Sequence, residues 1–158
     1  MNGPTDNTRE YATAAIIRYA RLGCPTRKEY EETIRREVYD RLRLKNPEQI
    51  IRATDKEIEA NRALLDDIDA VDKMLRVLRG TLQYKGVDRL PSIRNGDDIA
   101  NAVCFVYFPL CKICPSHRNI AGRVRAYAVS LPTAERTVYR WLRYARKLFA
   151  LIRGLTVE

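Results

Sequence analysis

Histidine is almost absent from this chain: His117 is the only one among 158 residues, and Trp141 is the only tryptophan. A single imidazole leaves little scope for acid–base catalysis by histidine. No phosphate-binding glycine loop, nucleophile elbow or HExxH metal motif is present either. Long apolar runs are missing as well. No uninterrupted stretch reaches the ~20 residues of a membrane span. The start, MNGPTDNTREY, has no basic segment leading into an apolar one, so it does not read as a secretory signal. Alternating polar and apolar residues, the mark of a half-buried strand, are also lacking; only Val103–Phe108, apolar throughout, is ambiguous between strand and helix. These gaps argue against an enzyme and against a membrane protein. They lead to the expectation of a soluble, cytoplasmic, all-α chain.

What is present is helix punctuation. Asn7 with Glu10 has the spacing of a capping box for a helix over Thr8–Leu22, and Gly23 can end it with a left-handed backbone. Thr26 with Glu29 repeats the box for a helix to about Leu44, on which Tyr30, Ile34, Val38 and Leu42 share a face. Asn46-Pro47 places a proline where its missing N–H costs nothing. Thr54 with Glu57 offers a new start, so a kink is expected at Thr54, followed by one long helix from Thr54 to Leu78. Leu64, Ile68, Val71, Leu75 and Leu78 then form a heptad seam, with Asn61 in register. The seam predicts either the core face of a bundle within the chain or a homodimer through residues 61–78. Asp66, Asp67, Asp69 and Asp72 lie between seam positions and are expected to face outward, as a solvated patch or, alternatively, as a divalent-cation site. Gly80 ends the helix, and Lys85-Gly86, Pro91 and Asn95-Gly96 mark a loop. Asp97 or Asp98 can cap a helix over Ile99–Tyr107.

The chain divides accordingly into an N-terminal helical region (1–80), a connector with one helix and most of the cysteines (81–118), and a basic C-terminal region (119–158). Residues 1–115 hold 20 Lys/Arg against 18 Asp/Glu, whereas residues 116–158 hold nine against two. The positive excess is therefore local, and a local basic excess on a folded element points to a polyanion.

In the last region a short helix (Asn119–Val129), a break at Ser130-Leu131-Pro132 and a long helix (Thr133–Arg153, capped by Thr133) give the plan of a helix-turn-helix. Val138, Leu142, Ala145, Phe149 and Ile152 form one stripe of the long helix. Arg136, Arg140, Arg143 and Lys147 form another, displaced by two residues, or about 200° of rotation. One face can pack on the protein while the other offers guanidinium forks to phosphates and to guanine edges in a major groove. Ala134, Glu135, Arg136, Thr137 and Arg140 stand where base edges are expected to be read. Arg143, Lys147 and Tyr139 stand where phosphates pass, and Arg123 and Arg125 on the preceding helix are expected to clamp the backbone. The fold class expected is thus a multi-helix bundle with a C-terminal helix-turn-helix, and the expected partner is double-stranded DNA.

The stretch ERTVYRWLRYARKLFA resembles the recognition-helix signature of helix-turn-helix proteins. It is similar to the fourth region of sigma factors and to the sigma-like late-gene activators of Gram-positive phages, the ArpU-like group. LLDDIDAVDKMLRVLRG and DDIANAVCFVYF resemble the helices that precede that motif. The likeness is coarse over residues 60–155 and specific over 133–155, and Leu131-Pro132 replaces the small residue usual in the turn. It implies sequence-specific promoter binding and transcription regulation, with RNA polymerase as a further partner of the N-terminal helices. A small-terminase-like DNA-packaging protein is the alternative that uses the same motif.

Cys104, Cys111, Cys114 and His117 are spaced C-x6-C-x2-C-x2-H. Four such ligands could close a tetrahedral zinc site. Against this, Cys104 sits in an apolar run and reads equally as a small buried hydrophobe.

Overall fold

A computed structural model describes residues 4–89, 95–108 and 120–155. These residues form seven α-helices and one 3₁₀ turn: α1 (Pro4–Arg21), α2 (Arg27–Leu42), α3 (Pro47–Ala60), α4 (Arg62–Leu78), the 3₁₀ turn (Lys85–Arg89), α5 (Gly96–Tyr107), α6 (Ile120–Ser130) and α7 (Glu135–Arg153). The all-α expectation holds, and the ambiguous stretch from Val103 resolves as the end of α5. Among the described residues no helix is long and apolar enough to cross a membrane.

The caps match the sequence in part. Thr26 Oγ1 accepts from the Glu29 amide at 3.2 Å, and Asn46 Oδ1 accepts from the Glu48 amide at 2.9 Å with Pro47 in the first turn. The box at Asn7 does not form, because α1 already starts at Pro4. The kink lies at Asn61, not Thr54, so the single helix expected over Thr54–Leu78 is divided between α3 and α4. Thr54 Oγ1 donates back to the Ile50 carbonyl at 2.8 Å and stays inside α3, whereas Asn61 leaves helical geometry at φ −100° and ψ 14°. Gly96 opens α5, with Asn95 as its cap residue in place of either aspartate. A Cβ on Gly96 would collide with the Leu78 carbonyl oxygen, so only glycine lets α5 start so close to the end of α4.

Packing is uneven. Helix α7 contacts α1, α4, α5 and α6, and α4 contacts α1, α2, α3, α5 and α7. The shared core includes Ile16, Met74, Val103, Val124, Leu142 and Phe149, each almost fully buried. The heptad seam is spent here: Ile68, Val71 and Leu78 are buried, and Leu64 and Leu75 pack against them. These seam residues pack within the chain. The α2–α3 hairpin leans on α4 and buries little of its own, mainly Ile34, Val38 and Thr54.

The acidic patch is not the outward, solvated face expected from its spacing. Asp67 is buried, Asp66 pairs with Arg27 at 2.7 Å, Asp69 with Lys73 at 2.8 Å and Asp72 with Arg76 at 3.3 Å. Neighbours on several sides bury more of α4 than one seam, and Leu65, Ala70 and Met74 are buried as well.

Candidate nucleic-acid interface

Helices α6 and α7 are joined by Leu131–Ala134. The Leu131 amide bonds to the Tyr127 carbonyl at 3.0 Å and the Thr133 amide to the Ala128 carbonyl at 2.9 Å, so the turn folds back on the end of α6. That places Thr133 in the turn. The cap residue of α7 is Ala134, with no side-chain capping bond, so the expected Thr133 cap does not form. At the far end Gly154 adopts φ 80° and the Leu155 amide reaches the Ala150 carbonyl at 2.8 Å, a left-handed stop.

The two stripes of α7 separate as the spacing requires. Val138, Leu142, Ala145 and Phe149 are buried, with Leu148 and Ala150 beside them, and Ile152 packs against the core. Glu135, Arg136, Tyr139, Arg140 and Arg143 are exposed, while Thr133, Thr137 and Lys147 are half-buried. Exposure is concentrated in the first half of the helix; from Tyr144 to Arg153 every side chain is at least half-buried. No ion pair engages Arg136, Arg140, Arg143 or Lys147 among the described residues. Glu135 is the only carboxylate on α7, and Arg125 on α6 reaches it at 3.5 Å. The result is a solvent-facing patch of uncompensated guanidinium groups on a rigid helix.

Arg123 does not belong to this patch. It is 9% exposed, and its Nη1 donates to the Val106 carbonyl at 3.0 Å, with the Phe108 carbonyl at 3.5 Å. It therefore satisfies the C-terminal end of α5, which corrects its reading as a phosphate clamp. Exposed Arg125 is two positions further on, so the two side chains leave α6 on nearly opposite sides. The pattern carried a signal: Arg123 shares a face with Ile120 and Tyr127, both withdrawn from solvent.

Sequence spacing missed Arg146. It lies off the basic stripe, is half-buried, and donates from Nη1 to the Tyr107 hydroxyl at 2.6 Å. It borders a groove of about 340 Å³ between α1 and α7, lined also by Arg9, Glu10, Ile17, Tyr139 and Leu142.

Of the suggested zinc ligands, Cys111, Cys114 and His117 lie outside the described residues. Cys104 sits half-buried on α5, and burial pushes its thiol pKa up, which disfavours the thiolate a metal needs. Among the described residues no group of three or more His, Cys, Asp or Glu side chains is placed to hold a metal ion.

Comparison with known proteins returns no match: no family model, curated protein or solved structure matches the chain.

Proposed function

We propose that this chain is a sequence-specific DNA-binding transcription regulator that inserts the first half of α7 into the major groove of a promoter. The observation that carries this reading is the division of α7. Arg136, Arg140 and Arg143 face solvent without carboxylate partners, directly opposite the buried Val138, Leu142 and Ala145. A helix seated in a groove needs this arrangement. The buried side fixes its pose, and the free guanidinium groups bind guanine O6/N7 and phosphate oxygens. Glu135 can accept from a cytosine amino group at the helix start, and Tyr139 and Lys147 flank the groove. The resemblance of residues 133–155 to sigma-like phage activators adds promoter DNA as target and RNA polymerase as partner.

Selection from a randomised duplex pool, followed by binding of wild type and Arg140→Ala across a salt series, tests the reading. The expected result is specific binding near 10⁻⁸ M. Discrimination should fall by roughly 1–3 kcal/mol on substitution, with most of the non-specific affinity retained. Equal affinity for enriched and scrambled duplexes with a steep salt slope would favour DNA packaging instead. No duplex binding at low salt would leave the stripe a solvated face.

A further inference from the structure

Four arginines among the described residues are withdrawn from full exposure: Arg27, Arg123, Arg146 and Arg153. Three of them are compensated. Arg27 pairs with Asp66, Arg153 pairs with Asp67, and Arg123 is spent on backbone carbonyls. Among the described residues Arg146 has only the neutral Tyr107 phenol as its partner. A half-buried cation without an anion is unfavourable, and an arriving anion would relieve it.

The groove beside Arg146 gives such an anion a place. Arg9 lines it from α1, exposed and without an ion pair among the described residues, and Ile17 and Leu142 supply apolar wall. Tyr139 lines the groove and is also 40% exposed, and on the helical wheel it stands between Arg146 and the Arg136/Arg143 edge of the basic stripe. The groove therefore opens on the flank of the face that carries the free arginines. A sugar–phosphate backbone runs along this flank when a helix lies in the major groove.

We propose that the α1–α7 groove seats a backbone phosphate of the bound duplex, held by Arg146 and Arg9 with the Tyr139 hydroxyl beside them. This makes α1, far from α7 in sequence, part of the nucleic-acid interface. The proposal rests on the DNA-binding reading of α7. Glu10 shares the groove lining and opposes an anion, so removing its charge works in the opposite direction from removing that of Arg9.

Salt-dependent duplex binding by Arg9→Ala, Glu10→Gln and the control Arg36→Ala tests this directly. Both α1 residues are exposed and their side chains have no partner among the described residues, so folding is spared; Arg36 removes the same charge from α2, away from the groove. Arg9→Ala is expected to reduce the slope of log Kobs against log salt by ~0.9 and to weaken enriched and scrambled duplexes alike. Glu10→Gln is expected to tighten both, and Arg36→Ala to change neither. Arg9 and Glu10 variants that match wild type, in a protein whose discrimination Arg140→Ala still lowers, would overturn this proposal alone. An Arg36→Ala effect equal to that of Arg9→Ala would also overturn it, because bulk charge would then account for the change. Absence of duplex binding by wild type would overturn the reading of α7 and this proposal together.

Discussion

Arg153 Nε donates to Asp67 Oδ1 at 2.8 Å, joining the last turn of α7 to α4 across 86 positions of sequence. The Tyr11 hydroxyl from α1 lies 2.7 and 2.8 Å from the two oxygens of the same carboxylate. Beside it, Asp66 takes Arg27 from the start of α2 at 2.7 Å. Two adjacent aspartates thus tie together four helices. This junction anchors the C-terminal end of α7, while the basic side of its N-terminal half faces solvent.

Removing Arg153 leaves Asp67 buried with only a phenol for company. Arg153→Ala is expected to lower unfolding free energy by roughly 2–4 kcal/mol, because one member of a buried pair is then uncompensated. The double replacement Arg153→Leu with Asp67→Leu is expected to cost less than Arg153→Ala alone. Urea denaturation of the three proteins measures both. A single-variant loss below the double-variant loss would show that the pair is not a closed unit.

The two arginines of α6 are expected to separate stability from binding. Arg123→Ala strips a donor from the Val106 carbonyl and should cost roughly 1–3 kcal/mol of stability with the DNA salt slope unchanged. Arg125→Ala, at an exposed ion pair, should change stability by less than about 1 kcal/mol and lower the salt slope. Denaturation and duplex titration of the same two samples decide the matter, and a reversed pattern would reassign both residues.

Gly96 and Gly154 are glycines for different reasons, and alanine should reveal it. At Gly96 the new methyl meets the Leu78 backbone oxygen, so α4 or α5 must move, at a cost of roughly 1–3 kcal/mol or more. At Gly154 space is open and only the φ of 80° opposes a side chain, at about 1–2 kcal/mol. Thermal melts should place Gly96→Ala below Gly154→Ala, and the opposite order would contradict the close approach of α5 to α4.

Alkaline pH is expected to destabilise the protein. Burial is the largest cause raising the phenol pKa of Tyr11, Tyr19, Tyr127 and Tyr144. An unfolded phenol titrates near pH 10. Above that value the unfolded chain releases protons that the folded chain still holds, so stability falls as pH rises. The buried Tyr144 hydroxyl has no hydrogen-bond partner among the described residues. Tyr144→Phe should therefore add about 1 kcal/mol at neutral pH and flatten the alkaline loss. Melting temperatures from pH 8 to 10.5 test both, and a Tyr144→Phe protein less stable than wild type would refute the account of that hydroxyl.

Much of the local architecture was legible because it depends on neighbours in sequence. The four-three spacing of Val138, Leu142, Ala145 and Phe149 identified the buried side of α7, and the opposed basic stripe followed from helical geometry alone. Thr26, Asn46 and Gly154 act at helix ends as their chemistry suggests. Thr54 misled for an equally local reason. Its hydroxyl can cap a helix or bond back four residues, and in α3 it does the latter.

The sequence by itself determined the helical class, some of the helix ends and the two-sided character of α7, because these follow from backbone sterics and a period of 3.6 residues. Tertiary structure alone decided which polar groups are spent inside. Arg123 and Arg125 are alike in type and close in sequence, yet one faces the carbonyl end of α5 and the other faces solvent. Asp67 likewise lost its expected exposure because α1 and α7 close over α4 from distant parts of the chain. The pairing of Arg9 with Arg146 around one groove has the same origin. Burial and long-range contact depend on how helices pack, and spacing along one helix carries no information about what lies across from it.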